Sequence, residues 1–471
     1  MTLFKVNSGA SLQITNAALN VPHIEPPPPP PDFYILSSSY DTVTIFTGSA
    51  GSGSPRFGMS ARVLGTAEGI YSLFGEPYSD AVATEAGRAY LYLSSSSGVE
   101  ATIISPADLS ASDYFGEGLD MVSASNGIYV AIAAAGKDLP GKSAAGQAYL
   151  YLKDSGGMNL VDTLTGSVAF SDFGAGITGP GPGFNAATQG VALALGGNNN
   201  LYMGIYDNIS SDQGSISLFE SSSAGVSFLE QIVMGDPASY EKTWLGIDMF
   251  SASDGLHIVG GTDGFYEPGA TLNVGRGLYA HWTSPGNYTT ASMVPDVPLS
   301  ASDQFGKCSP SLVNGAEGIY MMMGGVVTDF GTTSPRPGRG YLFLSNSLGI
   351  TQQSEFTSSD TVTPTQYFGA TEKILSGSDQ PLMIFVTAEN QQFPGAGANP
   401  GSVNIYQTSS NISTWNYLTG TTANEGFARG MDVTRYENSI YIVGGAPGYD
   451  IPAADVGRGY LYKWDLVVSG S

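Results

Sequence analysis

Cysteine, histidine and basic residues are all scarce in this chain of 471 residues: one Cys, three His, and 17 Lys and Arg together. A lone cysteine, Cys308, leaves no intramolecular disulfide and gives no reading of redox compartment. His23, His257 and His281 lie far apart, and neither a His-x-x-His, a Cys pair nor a nucleophile elbow occurs. Zinc and acyl-transfer sites therefore lack their parts. The 17 basic residues face 41 acidic ones, for a net charge of −24. Nucleic acid is excluded as a partner, because its phosphates need Lys and Arg, and an anionic membrane surface is disfavoured on the same ground. No apolar run reaches the length of a signal peptide or a bilayer span, so membrane insertion is not expected. Amphipathic helical periodicity of useful length is missing as well.

What the chain does have is glycine, at 63 positions, and a hydrophobic share of 42% with 11% aromatics. These are enough for a large core. The pattern is a repeat: a Phe-Gly step, a Gly-Ile-Tyr run, then a Gly-Arg-Gly-Tyr-Leu-Tyr run. The anchors are Phe57, Phe115, Phe173, Thr243, Phe305, Phe368 and Phe427, which by subtraction are 58, 58, 70, 62, 63 and 59 residues apart. The fourth copy lacks Phe-Gly, but Asp248–Gly255 aligns with Asp120–Gly127 and sets its register. A period near 60 residues marks a stacked or circular architecture.

Each copy holds four short apolar runs divided by Gly, Asn, Asp or Ser. In the second they are Gly118–Val122, Ile128–Ala133, Ala148–Leu152 and Leu160–Leu164. Runs such as Tyr149-Leu150-Tyr151-Leu152 are apolar on both faces, which suits a strand whose sheet is covered on both sides. The expected fold is all-β: a seven-bladed β-propeller of four-stranded antiparallel blades. The chain ends on a third-strand run, Gly457–Tyr462, and opens its repeat region with a fourth-strand run, Tyr40–Phe46. Residues near 40–47 are thus expected beside Gly459–Tyr462, closing the ring.

Two charges recur in register. Arg88, Arg276, Arg339 and Arg458 begin third strands, and Asp120, Asp248 and Asp432 fall on first strands. Their recurrence reads as bracing between blades, the alternative being a charged ring for a ligand. His257 takes the position of Tyr129 in another copy and reads as a packed strand residue. Cys308 follows Phe305-Gly306 where other copies carry small residues, and reads as a buried thiol.

The Phe-Gly steps, Gly444-Gly445-Ala446-Pro447 and the Gly-x-x-Tyr-x-Tyr strands resemble FG-GAP repeats, the units of the integrin-alpha-type seven-bladed propeller. The resemblance covers residues from about 40 to 471. Many members of that family carry an Asp-x-Asp-x-Asp-Gly calcium loop between the first two strands, and no copy here does. Asn126-Gly127 and Asp254-Gly255 are bare hairpin turns. Neither a metal nor a cofactor is therefore expected. Sialidase-type Ser-x-Asp-x-Gly-x-x-Trp turns are missing too, and four Trp in all disfavour WD-type and kelch-type blades. In its acidic, Gly/Ser-rich style the chain also resembles virion structural proteins of tailed phages. That resemblance implies a non-enzymatic virion protein of tail, fibre or capsid, which contacts a host-surface glycan or protein. One alternative is a cell-surface adhesion or carbohydrate-binding propeller. The other is a propeller enzyme with an axial site, which carboxylates clustered with a His or Arg on inner strands would favour.

Residues 1–39 stand outside the repeat and read as an extended N-terminal arm, with residues 40–471 as the propeller. Pro26–Pro31 favour a polyproline II rod. Ahead of it Leu3, Phe4, Val6, Leu12 and Ile14 are too few for a core and read as an anchor for other virion proteins. Binding is expected in irregular loops, at Phe265, Tyr266 and Phe393 and in the insertion Gly179–Asn185.

Overall fold

The structure is a computed structural model. It describes residues 34–36 and 40–468, apart from 41, 49–53, 170, 176–189, 197–199, 211–212, 234–245, 263–274, 297–304, 307, 326–335, 358–364, 378–379, 389–399, 409–412, 421, 423–424 and 450–455. The chain divides into two units, Met1–Asp32 and Phe33–Ser471, and all the described residues lie in the second.

Every regular element among the described residues is a β-strand. Four separate sheets of four antiparallel strands run in sequence order from Ala61 to Met293. An eight-stranded sheet follows, made of two such units joined where Arg336–Asn346 runs parallel to Thr365–Gly377. The last sheet contains Met431–Tyr436, Ser439–Ala446 and Arg458–Val468, and its fourth strand is Thr42–Phe46 from the other end of the chain. In that pairing Thr42 faces Lys463 and Phe46 faces Gly459. A further short strand, Tyr34–Leu36, pairs with Leu466–Val468, so ladder pairing starts before residue 39. The described residues thus form seven four-stranded units, and the fold is a β-propeller.

Seven apolar clusters lie between units rather than within them. One joins Tyr71 and Leu73 of the first blade to Phe115 and Leu119 of the second. Another joins Phe57 and Val63 of the first blade to Val443 and Leu461 of the last, which closes the ring. Second strands are therefore covered on both faces, as in Gly69–Glu76. Outer strands such as Gly98–Ile104 face water and accept Val99, Glu100 and Thr102.

The two halves of the repeat meet at each of several interfaces. Phe115 forms a parallel bridge with Gly87 of the preceding blade, and Phe305 does so with Gly275. Gly116 and Gly306 have φ of 99° and 89°, conformations that suit glycine. A Cβ at either would fall under 3.0 Å from the carbonyl oxygen of Arg88 or Arg276. Phe-Gly is needed because the neighbouring Gly-Arg backbone comes this close. The Phe ring then turns edge-on to the Tyr of its own third strand. Phe115–Tyr149, Phe305–Tyr341 and Phe427–Tyr460 have centroids 5.4, 5.5 and 5.5 Å apart at 79°, 82° and 83°. Each such pair contributes about 0.5–1.5 kcal/mol beyond area burial.

Candidate functional site

The first strands of the seven units are Ala61–Thr66, Phe115–Ala124, Val191–Leu195, Ile247–Ala252, Ser311–Gly315, Thr365–Gly377 and Met431–Tyr436. They place Arg62, Asp120, Ala192, Asp248, Ser311, Lys373 and Asp432 at one level. Hydrogen bonds set that register. Each of four side chains accepts from the backbone N–H one residue further on in the next blade. Leu193 donates to Asp120 (2.7 Å), Leu312 to Asp248 (3.2 Å), Ile374 to Ser311 (3.3 Å) and Val63 to Asp432 (3.0 Å). The last contact spans the two ends of the propeller.

Two ion pairs run around the same level. Arg62 Nε lies 3.1 Å from Asp120 Oδ1, and Lys373 Nζ lies 3.4 Å from Asp432 Oδ1. Asp248 feels both Lys373 and Arg62, which stand on blades across the ring, so the five charges face one shared axial space. Desolvation pushes Asp120 up to about 6, with Arg62 and the Leu193 N–H opposing it. Desolvation also raises Asp248, with Lys373 opposing it first. Surrounding protein disfavours the charged form of both carboxylates, although each retains some exposed surface. The arrangement can give and take protons near neutral pH and can hold an anionic group against Arg62 and Lys373.

Sequence reasoning found Asp120, Asp248 and Asp432 by their recurrence. It missed Arg62 and Lys373, which occupy the same register in copies where the residue type changes. Aligning the copies on the first strand rather than on Phe-Gly would have shown them. The recurrent arginines lie elsewhere, and these side-chain contacts stay within one blade rather than bracing between blades: Arg339 pairs with Glu355, Arg276 donates to Ser292 Oγ (3.1 Å), and the Arg458 guanidinium lies 3.6 Å from the Tyr449 ring centroid.

A second polar cluster sits at the hairpin turn of the fourth blade. His257 and His281 face each other across adjacent strands, with rings stacked at 4.5 Å and 5°. His257 Nε2 lies 3.0 Å from Asp254 Oδ1, and its Nδ1 lies 2.6 Å from the Tyr279 hydroxyl. The hydrogen bond from His257 holds the Asp254 carboxyl below its usual range. Burial, then Asp254, pushes Tyr279 up to about 12. His257 is packed as its repeat position implies, but within a polar group.

Cys308 is fully buried in the interface between the fourth and fifth blades. Its Sγ accepts from the Gly324 N–H at 3.1 Å, and desolvation raises its pKa well above the usual value, so it is inert. The other sequence-derived residues, Phe265, Tyr266, Phe393, Leu3, Phe4, Val6, Leu12 and Ile14, with the insertion Gly179–Asn185, lie outside the described residues.

No family model matches the chain, and no curated relative matches it. Among solved structures it is similar to a polysaccharide lyase, an ulvan lyase bound to its saccharide, with TM-score 0.48 and 10% identity over 89% of this chain and 93% of that one. A periplasmic gluconolactonase of Pseudomonas aeruginosa gives TM-score 0.42 and 11% identity over 79% and 91%. A Trypanosoma rangeli sialidase in complex with sialic acid gives TM-score 0.40 and 12% identity over 76% and 57%. These likenesses concern the fold. The expectation of a non-enzymatic virion structural protein is withdrawn: these neighbours are named as enzymes, and likeness of fold at 10–12% identity assigns this chain no role of its own. The sequence grounds for that expectation were compositional style and an arm, neither of which specifies chemistry.

Proposed function

We propose that this propeller is an enzyme working by acid–base chemistry at its axis. The observation that carries the reading is the shared axial space of Arg62, Asp120, Asp248, Lys373 and Asp432, in which desolvation pushes Asp120 up to about 6. Asp120 is the group that exchanges a proton with substrate. Asp248 is the second carboxylate, and Arg62 and Lys373 orient an anionic or strongly polar group. Two carboxylates whose charged forms are disfavoured by desolvation, beside a guanidinium and an ammonium, suit cleavage of a C–O bond by hydrolysis or elimination. A panel of glycosides and uronic-acid polysaccharides, read by new reducing ends and by absorbance of unsaturated products, tests this. Turnover should fall at least a hundredfold in Asp120→Asn, as for loss of a general acid–base group. Full turnover in both Asp120→Asn and Asp248→Asn would refute the axial assignment.

We also propose that the blades are FG-GAP-type units. The support is the repeated pairing of Phe-Gly with the preceding Gly-Arg segment, which gives both motifs one physical purpose.

A further inference from the structure

We propose that Asp254, His257 and His281 bind one divalent transition-metal ion at the hairpin end of the fourth blade. This site is separate from the axial cluster and does not depend on it. One carboxylate oxygen of Asp254 and one ring nitrogen from each histidine all lie within 4.8 Å of one another. Tetrahedral ligands bonded at about 2.0 Å stand about 3.3 Å apart. Two contacts lie near that value, one to each oxygen of the Asp254 carboxylate: His257 Nε2 to Oδ1 is 3.0 Å, and His281 Nε2 to Oδ2 is 3.6 Å. Asp254 sits on a turn with 61% of its side chain exposed, where its carboxylate can turn to offer one oxygen to both histidines.

His257 is restrained before any ion arrives, and the stacked His281 ring rotates so that both in-plane lone pairs meet one ion. His257 stacks on Phe250 at 5.0 Å and 20° on one side and on His281 on the other. The Tyr279 hydroxyl fixes the far ring nitrogen of His257, the usual role of a partner behind a metal-bound imidazole. With Asp254 ionised and only accepting, His257 Nε2 carries the proton in the ion-free state and Tyr279 donates to Nδ1. An ion takes the Nε2 lone pair of the other neutral tautomer, in which the ring proton sits on Nδ1 and is donated to the Tyr279 hydroxyl oxygen, so the imidazole keeps its one proton. Two imidazoles and one carboxylate select Zn²⁺, Co²⁺ or Ni²⁺ over Ca²⁺ and Mg²⁺. Three protein ligands leave a fourth position, and the exposed side of Asp254 turns it toward solvent, as in metal centres that bind substrate or water. The site breaks the repeat, since no other copy carries two histidines at these positions.

The test uses the full chain, stripped with chelator and dialysed against Zn²⁺, with Ca²⁺ and Mg²⁺ as comparison ions. One equivalent of Zn²⁺ per chain is expected by elemental analysis, with a rise in melting temperature that Ca²⁺ and Mg²⁺ do not cause. Co²⁺ should give the visible absorption of a low-coordinate nitrogen-ligated ion. Asp254→Asn and His281→Gln should each weaken binding by at least about tenfold, with unchanged circular dichroism. Binding below a tenth of an equivalent, or equal binding in both folded variants, would overturn the site. Neither outcome bears on Asp120 or Asp248, so failure here is distinct from failure of the axial reading.

Discussion

At Phe115-Gly116 two demands meet on one dipeptide. The ring must fill the interface, and the next residue must let a neighbouring carbonyl approach. Gly116→Ala adds a Cβ at φ 99° against the Arg88 oxygen. It should cost about 1–3 kcal/mol from backbone conformation alone, seen as a lower denaturant midpoint at unchanged slope. Phe115→Ala empties a fully buried site and should cost about 3–5 kcal/mol. The axial carboxylates should behave in the opposite way. Asp248→Asn keeps an acceptor for the Leu312 N–H while removing a desolvated charge. At pH 7.5 the variant should melt higher than the parent while losing turnover. A lower melting temperature would show that Asp248 is held chiefly by its cations. Arg62→Ala strands Asp120 without its paired guanidinium and should cost about 3–5 kcal/mol, moving the Asp120 titration above 6 in a carboxyl-resolved NMR experiment.

The strand Thr42–Phe46 is the element on which closure depends. It completes the last blade by pairing with Gly459–Lys463, and it brings Phe46 into the same cluster as Phe57 and Leu461. A chain begun after Gly48 exposes the edge of Arg458–Val468 as unpaired N–H and C=O groups. Calorimetry should then show a lower, broader transition, and light scattering should show association that rises with concentration. A chain begun at Phe33 retains both N-terminal strands and should melt like the full-length protein. Equal melting of the two truncations would mean that the ring holds through its blade interfaces alone.

For the whole molecule, the desolvated axial carboxylates set a pH dependence with a definite sign. Asp120 and Asp248 have folded-state pKa values raised above the ordinary 3.8, to about 6 for Asp120. Between these values the folded chain keeps protons that the unfolded chain has lost, so stability falls as pH rises from about 4 to about 6. The contribution is fully present below the unfolded value and gone above the folded one. Melting temperatures over this range should decline less in Asp120→Asn than in the parent. An equal decline in both would assign the effect to other groups.

The architecture was legible in the sequence because a propeller repeats one local solution. Anchors such as Phe115 and Phe305 recur at a near-constant period, and both-face apolar runs such as Tyr149–Leu152 can only be covered by neighbours. Even the partner of Thr42–Phe46 could be read, since a ring leaves one place for an unpaired fourth strand. The sites were not legible in the same way. Arg62 and Lys373 join Asp120, Asp248 and Asp432 only because first strands from different blades converge on one axis. Chain separations of hundreds of residues carry no local signal for such a meeting. His257 and His281 are 24 positions apart by subtraction, and strand register alone makes them neighbours. Repetition wrote the fold into the sequence, while convergence at the axis and across the hairpin decided which side chains could act together.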